Sequence, residues 1–207
     1  MNENSKISDT LKEIDEIFVF IHSLIDESEL DLGDQYKRIN YAYFKMFCYH
    51  FESLFILTSS NHFSSAILLM RTMLELFVKS YYLEFIEKGK DSSVDDFLIG
   101  KKEFPSFFSM TKLLEEYEHA SLGNFKDSFK QFTKIELASY EKFSLFSHGK
   151  GEVLKAFYEQ NKISYTTEQV SDVLLTAKGL FEKLSLLLFF TQNKAPEVGR
   201  VLEKIKV

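Results

Sequence analysis

The run HFSSAILLMRTMLELFVKSYYLEFIE at residues 62–87 constrains the fold more than any other part of the chain. Arg71, Glu75 and Lys79 recur in it at intervals of four residues, which places their side chains one above another on one face of an α-helix. Apolar residues fill most of the other positions, and a helix that is apolar around most of its circumference is usually buried. The run therefore predicts a central helix at about residues 62–88, against which the rest of the chain packs.

The composition favours helices along the whole chain. Its 207 residues include only two prolines and eight glycines, which leaves little of the turn chemistry that a many-stranded protein needs. Apolar residues at three-and-four spacing predict long helices at about 8–27, 34–58, 62–88, 124–147 and 167–192. We therefore expect an all-α fold, a single-domain bundle over residues 1–207 with about five long helices plus short ones. Its core should be rich in the 22 phenylalanines.

Local signals indicate where these helices begin and end. Ser59–Asn61 should separate the second and third helices, which then form an antiparallel hairpin. Gly89 is placed to end the central helix in a left-handed conformation, and Thr166 with Gln169 gives the signature of a capping box. In the second helix the spacing assigns Met46, among others, to the buried face. Weaker patterns predict short elements in the stretches 90–109, 109–119, 152–160 and after Pro196.

The last long helix becomes apolar on nearly all sides from Leu184 to Phe190. Such a half-helix is either buried in the centre of the bundle or presented to another subunit, so a homo-oligomer is one of two readings. The run is far shorter than the roughly 20 apolar residues that a membrane-spanning helix requires. We therefore expect no membrane partner.

Charge and cysteine usage exclude other classes of function. The net charge of −6 argues against sequence-independent binding to duplex DNA, which depends on a basic surface. Cys48 is the single cysteine, so the chain forms no intramolecular disulfide and no thiolate-rich metal site. It lies in an aromatic helical run, which favours a small core residue over a nucleophile. Together with a polar N-terminus unlike a signal peptide, these features predict a cytoplasmic protein.

The residues that familiar catalytic motifs need are missing from the sequence. It has no phosphate-binding glycine-rich loop, no HExxH zinc motif and no GxSxG nucleophile motif, so we expect no metal and no cofactor. One Glu-x-x-x-His pattern, Glu115 to His119, is best interpreted as part of a solvated helix face. The remaining candidates are Arg71, Glu75 and Lys79 on the central helix, with Lys142 and His148 at the end of the fourth long helix.

These candidates allow two interpretations. Arg71 held by Glu75 presents a fork of donors that suits a phosphate or carboxylate, and His148 could move protons near neutral pH. Alternatively, Arg71 and Glu75 form a buried ion pair, to which His148 is bonded, and the network fixes the packing of two helices. The abundance of phenylalanine adds a third option, a pocket for a small molecule or a peptide.

Two segments, SSAILLMRTMLELFVKSYYL and YEKFSLFSHG, resemble a family of uncharacterised bacterial helical proteins in which an Arg-x-x-x-Glu helix is paired with a later Ser-His segment. The resemblance covers about residues 40–190, and that family is in turn similar to the HEPN (higher eukaryotes and prokaryotes nucleotide-binding) bundles. HEPN proteins are often dimers in toxin–antitoxin and phage-defence systems, and some cleave RNA with an Arg-x(4–6)-His motif. Here Lys142 replaces that arginine and Phe143 replaces the polar residue after it, while His148 is retained, which argues against ribonuclease activity.

The sequence and this resemblance lead to one expectation and two alternatives. We expect a non-catalytic cytoplasmic binding or regulatory protein, dimeric, with a protein partner in a bacterial defence system, in which Arg71, Glu75, Lys79 and His148 contribute to binding. The first alternative is a metal-independent endoribonuclease or nucleotide-directed enzyme, in which His148, Arg71, Lys142 and Glu75 are catalytic and RNA is the partner. The second is a sensor with an aromatic pocket.

Overall fold

A computed structural model of the chain describes residues 3–90, 92–119, 123–129, 132 and 151–205. Helices dominate this part, and the only strands in it, β1 (Glu118–His119) and β2 (Gly123–Asn124), form a two-residue antiparallel pair. The all-α prediction is confirmed. The α-helices are α1 (Glu3–Ser23), α2 (Gln35–Ser59), α3 (Phe63–Tyr82), α4 (Val94–Leu98), α5 (Phe107–Glu115), α6 (Glu152–Gln160), α7 (Thr167–Thr191) and α8 (Ala195–Ile205).

Helices α3 and α7 form the centre of the bundle. α2 and α3 pack along one another as the predicted hairpin, and α1, α2 and α3 all pack on α7. The turn of the hairpin uses Asn61 in the left-handed conformation, with φ of 61°. Asn161 and Asn193, which follow α6 and α7, adopt the same conformation, so asparagine takes the place that glycine often holds after a helix.

The ends of the first and third long helices differ from the prediction. α1 begins at Glu3, before residue 8, and its α-helical geometry ends at Ser23. α3 ends at Tyr82, and the chain continues as a π-helical turn at Leu83–Glu87 and a 3-10 turn at Lys88–Lys90. Gly89 lies inside this 3-10 turn and has no positive φ, so it does not supply the predicted left-handed cap.

The helix predicted at 124–147 is wrong where the structure describes that stretch. Asn124 belongs to β2, and residues 126–129 form a turn. The carboxylate of Glu115 accepts hydrogen bonds from the backbone N–H groups of Asp127 and Phe129, so it holds this turn and does not belong to a solvated face. The remainder of the predicted helix lies outside the described residues.

The apolar half of α7 is buried inside the bundle. Leu184, Leu187, Leu188 and Phe189 contribute to the hydrophobic core that α1, α2, α3 and α5 share. Of the two interpretations of this run, burial in the centre of the bundle therefore describes most of its residues, while Leu186 and Phe190 are partly buried. Within the described ranges, no helix is both long and apolar enough to cross a membrane.

The start of α7 agrees with the sequence in detail. The hydroxyl of Thr166 accepts a hydrogen bond from the backbone N–H of Gln169 at 3.2 Å, and the Gln169 side chain accepts one from the N–H of Thr166 at 3.0 Å. This capping box fixes the residue at which α7 begins.

Candidate functional site

The three charged residues of α3 form a continuous ladder. Glu75 forms salt bridges with both of its neighbours. Its Oε1 lies 3.5 Å from Nε of Arg71, and its Oε2 lies 3.8 Å from Nζ of Lys79. Between 26% and 31% of each side chain is exposed, so the Arg71–Glu75 pair is partly rather than fully buried. The ladder lies along the edge of a helix whose other faces enter the core.

The other two members of the predicted catalytic set, Lys142 and His148, lie outside the described residues. Their convergence with Arg71 therefore stays a prediction. Glu75 and Arg71 also have interactions beyond the ladder itself.

A buried carboxylate that the sequence did not single out lies at the end of the π-helical turn. Glu87 is 1% exposed. Its carboxylate accepts hydrogen bonds from the Tyr82 hydroxyl at 2.6 Å, from Lys90 Nζ and Ser92 Oγ at 2.9 Å each, and from Lys102 Nζ. Lys102 Nζ also donates to Ser92 Oγ at 2.7 Å, which closes the network.

This network stabilises the ionised form of Glu87. Burial by itself raises the pKa of the carboxyl, but the hydrogen bonds from Lys102, Tyr82, Lys90 and Ser92 outweigh burial and lower the pKa to about 2. An ionised carboxylate with four donors has no capacity left for a substrate. π-helical turns are common at functional sites, yet here the turn serves to aim Glu87 at its lysines, and we assign the network a structural role.

Cys48 is a core residue, as predicted. It is buried on α2, and this burial raises the pKa of its thiol to about 12. The raised pKa disfavours the reactive thiolate at neutral pH, which argues against Cys48 as a nucleophile.

An open, largely apolar groove lies between α1 and α2. Both helices pack on α7, but they make few backbone contacts with each other. Two neighbouring cavities of about 290 Å³ and 120 Å³ occupy the space between them, and Glu52 lines both. We call the two cavities together the α1–α2 groove. Its remaining lining residues are Ile14, Asp15, Phe18, His22, Ile25, Glu27, Tyr41, Phe44, Lys45, Cys48, Tyr49, Phe51, Phe55 and Ile56.

Stacked aromatic rings support the groove from below. Phe181 of α7 lies with its ring centroid 4.9 Å from that of Phe51 and 5.3 Å from that of Phe18. Phe44 lies 6.0 Å from the same ring. Because Phe181 is fully buried and packed on all three, the floor of the groove is closely packed.

The walls and rim of the groove combine apolar and acidic side chains. Tyr49 and Ile56 on α2 line the cavities and are each 63% exposed. Glu27 at one end forms a salt bridge with Lys45 at 3.6 Å. Asp15 on α1 and Glu52 on α2 are exposed and make no salt bridge in the part of the chain that the structure describes.

This groove was not found from the sequence, because α2 is apolar around most of its circumference. Periodicity assigned Met46 to the buried face, whereas 47% of it is exposed, and it did not single out Ile56 as exposed. The available signal is Glu52, whose neighbours one turn away on α2 are Cys48, Tyr49, Phe55 and Ile56.

Comparisons with other proteins add no assignment. No family model, no curated protein and no solved structure matches the chain. Among the described residues, no group of three or more histidine, cysteine, aspartate or glutamate side chains is arranged to hold a metal ion.

Proposed function

We propose that the protein is a non-catalytic cytoplasmic binding or regulatory protein, and that its binding site is the α1–α2 groove. One observation supports this proposal most strongly. The groove exposes apolar side chains, Tyr49 and Ile56, above a packed aromatic floor. Contiguous exposed apolar patches on a protein surface are typical of sites that bind a partner.

The resemblance of the central helix to HEPN-like bundles supports a more specific biological setting. It suggests a component of a bacterial phage-defence or toxin–antitoxin system. In such a system a bundle without a complete catalytic motif would act through binding. The replacement of arginine by Lys142 in the motif favours this role over cleavage of RNA.

The shape of the groove suits a peptide or protein segment. It consists of two adjoining cavities of about 290 Å³ and 120 Å³ that share Glu52, rather than one enclosed pocket. They lie in line along α1 and α2 and are open to solvent on one side. The peptide form of the sensor interpretation therefore coincides with our proposal.

The proposal can be tested with Nile red, a neutral dye that fluoresces in apolar sites. We expect the native protein to enhance its fluorescence, and Ile56→Glu to remove most of the enhancement. Leu98→Glu is the matched control, because Leu98 is also 63% exposed but lies on α4 and lines neither cavity. Equal dye binding by the wild type and both variants would refute the groove as the binding site.

The endoribonuclease remains a second candidate because the ladder is partly exposed. About a quarter of the Arg71 side chain is exposed, and the donors of a guanidinium suit a phosphate. This candidate requires that the purified protein cleaves single-stranded RNA without metal and that Arg71→Ala and His148→Ala abolish cleavage while both variants stay folded. If wild-type protein leaves the RNA intact, the enzyme hypothesis fails and the binding function stands.

A further inference from the structure

We infer that the α1–α2 groove binds an amphipathic helix of a partner protein, and that the partner places lysine or arginine side chains opposite Asp15 and Glu52. This inference rests on the proposed function and specifies the partner of the same site. It is supported by the length of the groove, its apolar anchor positions and its charge.

The length of the groove matches a helix of moderate size. On α2 the lining residues extend from Tyr41 to Ile56, which at 1.5 Å per residue is about 22 Å. A helix of about 15 residues has the same length. α1 and α2 run antiparallel along the groove. Ile14 and Phe18 of α1 lie beside the end of α2 that carries Ile56, whereas His22 lies beside the end that carries Phe44.

The apolar part of the groove suits helical anchors. Helices that dock in grooves insert apolar side chains at intervals of three and four residues into successive hollows. Here two hollows follow each other along α2, one bordered by Phe55 and Ile56 and the other by Phe44 and Tyr49. Glu52 separates them, so two anchors about one helical turn or more apart would flank its carboxylate.

The charge of the groove identifies the chemistry of the partner. Asp15 on one wall and Glu52 on the other have no salt-bridge partner among the described residues, and the single lysine of the groove, Lys45, is already paired with Glu27. A docked helix would lower the local dielectric around both carboxylates, which is favourable only if the helix brings cations. Basic side chains on the partner would form salt bridges with both carboxylates.

Other occupants fit these charges less well. A second copy docked groove to groove would bring its own Asp15 and Glu52 next to the same carboxylates. α6 of a second copy exposes Leu154, Phe157 and Tyr158, but its sequence EVLKAFYEQ has two glutamates and one lysine, so it is net negative. Like charges across an interface oppose association.

The test uses two synthetic 15-residue peptides with identical leucine and phenylalanine anchors at three-and-four spacing. One carries lysines at the flanking positions and the other carries glutamates. We expect the full-length protein to bind the basic peptide, measured by fluorescence polarisation, at least tenfold more tightly than the acidic one. The basic peptide should gain helicity on binding, and its affinity should fall as NaCl is raised.

Charge reversal provides the decisive comparison. The double variant Asp15→Lys with Glu52→Lys should bind the basic peptide at least tenfold more weakly than the wild type and should bind the acidic peptide more tightly. Glu13→Lys with Glu203→Lys is the matched control, because it changes the net charge by the same amount at exposed positions that line neither cavity. An equal effect of both double variants would overturn the assignment of Asp15 and Glu52.

The remaining outcomes separate the inference from the proposed function. If both peptides bind equally and Ile56→Glu blocks both, the groove is a binding site but the basic partner is refuted. If neither peptide binds and Nile red does not bind, the proposed function fails as well. If the protein self-associates with increasing concentration and Ile56→Glu prevents it, a second copy occupies the groove and the inference is wrong.

Discussion

The buried carboxylate of Glu87 allows a quantitative prediction about stability and pH. Its pKa of about 2 in the folded protein, against an ordinary value of 4.5, means that folding stabilises the ionised form. At about 1.36 kcal/mol for each pH unit between the two values, ionised Glu87 contributes about 3 kcal/mol to the free energy of unfolding. Because the folded pKa is the lower one, the contribution is complete above about pH 5 and is lost as the pH falls towards 2.

Glu87→Gln removes the charge and keeps the shape of the side chain. We expect this variant to lose about 3 kcal/mol at pH 7, measured by urea unfolding, since Lys102 and Lys90 lose their anionic partner and the amide NH2 replaces one of the two acceptor oxygens. At pH 3, between the two pKa values, less than half of the contribution remains in the wild type, so the difference between the two proteins should narrow to less than half of its value at pH 7. Below pH 2 the difference should vanish.

An exposed ion pair supplies the control for this experiment. Lys112 and Glu116 are 3.9 Å apart and both are largely exposed, so Glu116→Gln should change stability by less than about 0.5 kcal/mol at any pH. If Glu87→Gln behaves like Glu116→Gln, or if its deficit stays constant from pH 7 to pH 3, the argument from buried hydrogen bonds is refuted.

Three further predictions follow from burial and capping. Leu188→Ala should lower the free energy of unfolding by about 2–5 kcal/mol at every protein concentration, whereas Leu98→Ala, at an exposed position, should lower it little. A loss of stability that varies with protein concentration would instead indicate that Leu188 lies in a subunit interface. Cys48 should react with a thiol reagent at pH 8 at least about 100-fold more slowly in the native protein than in urea, and rapid native labelling would contradict its raised pKa. Thr166→Ala should cost about 1 kcal/mol in thermal unfolding, and Thr167→Ala should cost clearly less if the capping box is correct.

Those parts of the fold that depend on local signals were predictable from the sequence. The run at 62–87 contains enough apolar residues to require a buried helix, and the core position of α3 follows from it. The hairpin turn at Ser59–Asn61 and the capping box at Thr166 depend on side chains within three residues of each other, so they are visible in the sequence. These signals need no knowledge of tertiary contacts.

The network around Glu87 was not predictable because its donors come from separate elements. Lys102 follows Glu87 by fifteen residues, across α4 and a loop, and no periodic pattern connects the two. The π-helical turn also rotates Glu87 relative to an ideal α-helix, so the face on which it lies cannot be read from 3.6-residue spacing.

The α1–α2 groove illustrates a different limit. A helix such as α2, which is apolar on most sides, shows that burial is extensive but does not show which side stays open. Which side of α2 stays open depends on how far α1 lies from α2 when both helices pack on α7. For this reason the spacing of apolar residues assigns Met46 to the buried face, although 47% of it is exposed.

The π-helical turn at Leu83–Glu87 also bears on how this chain can vary in length among its natural relatives. Removing one residue from the turn would restore α-helical geometry and rotate the following residue by about 100° around the helix axis. The carboxylate of Glu87 would then point away from Tyr82 and Lys102. Insertions and deletions should therefore be rare between Tyr82 and Lys102, even where the residues themselves are exchanged, and should collect in connections without such a cluster.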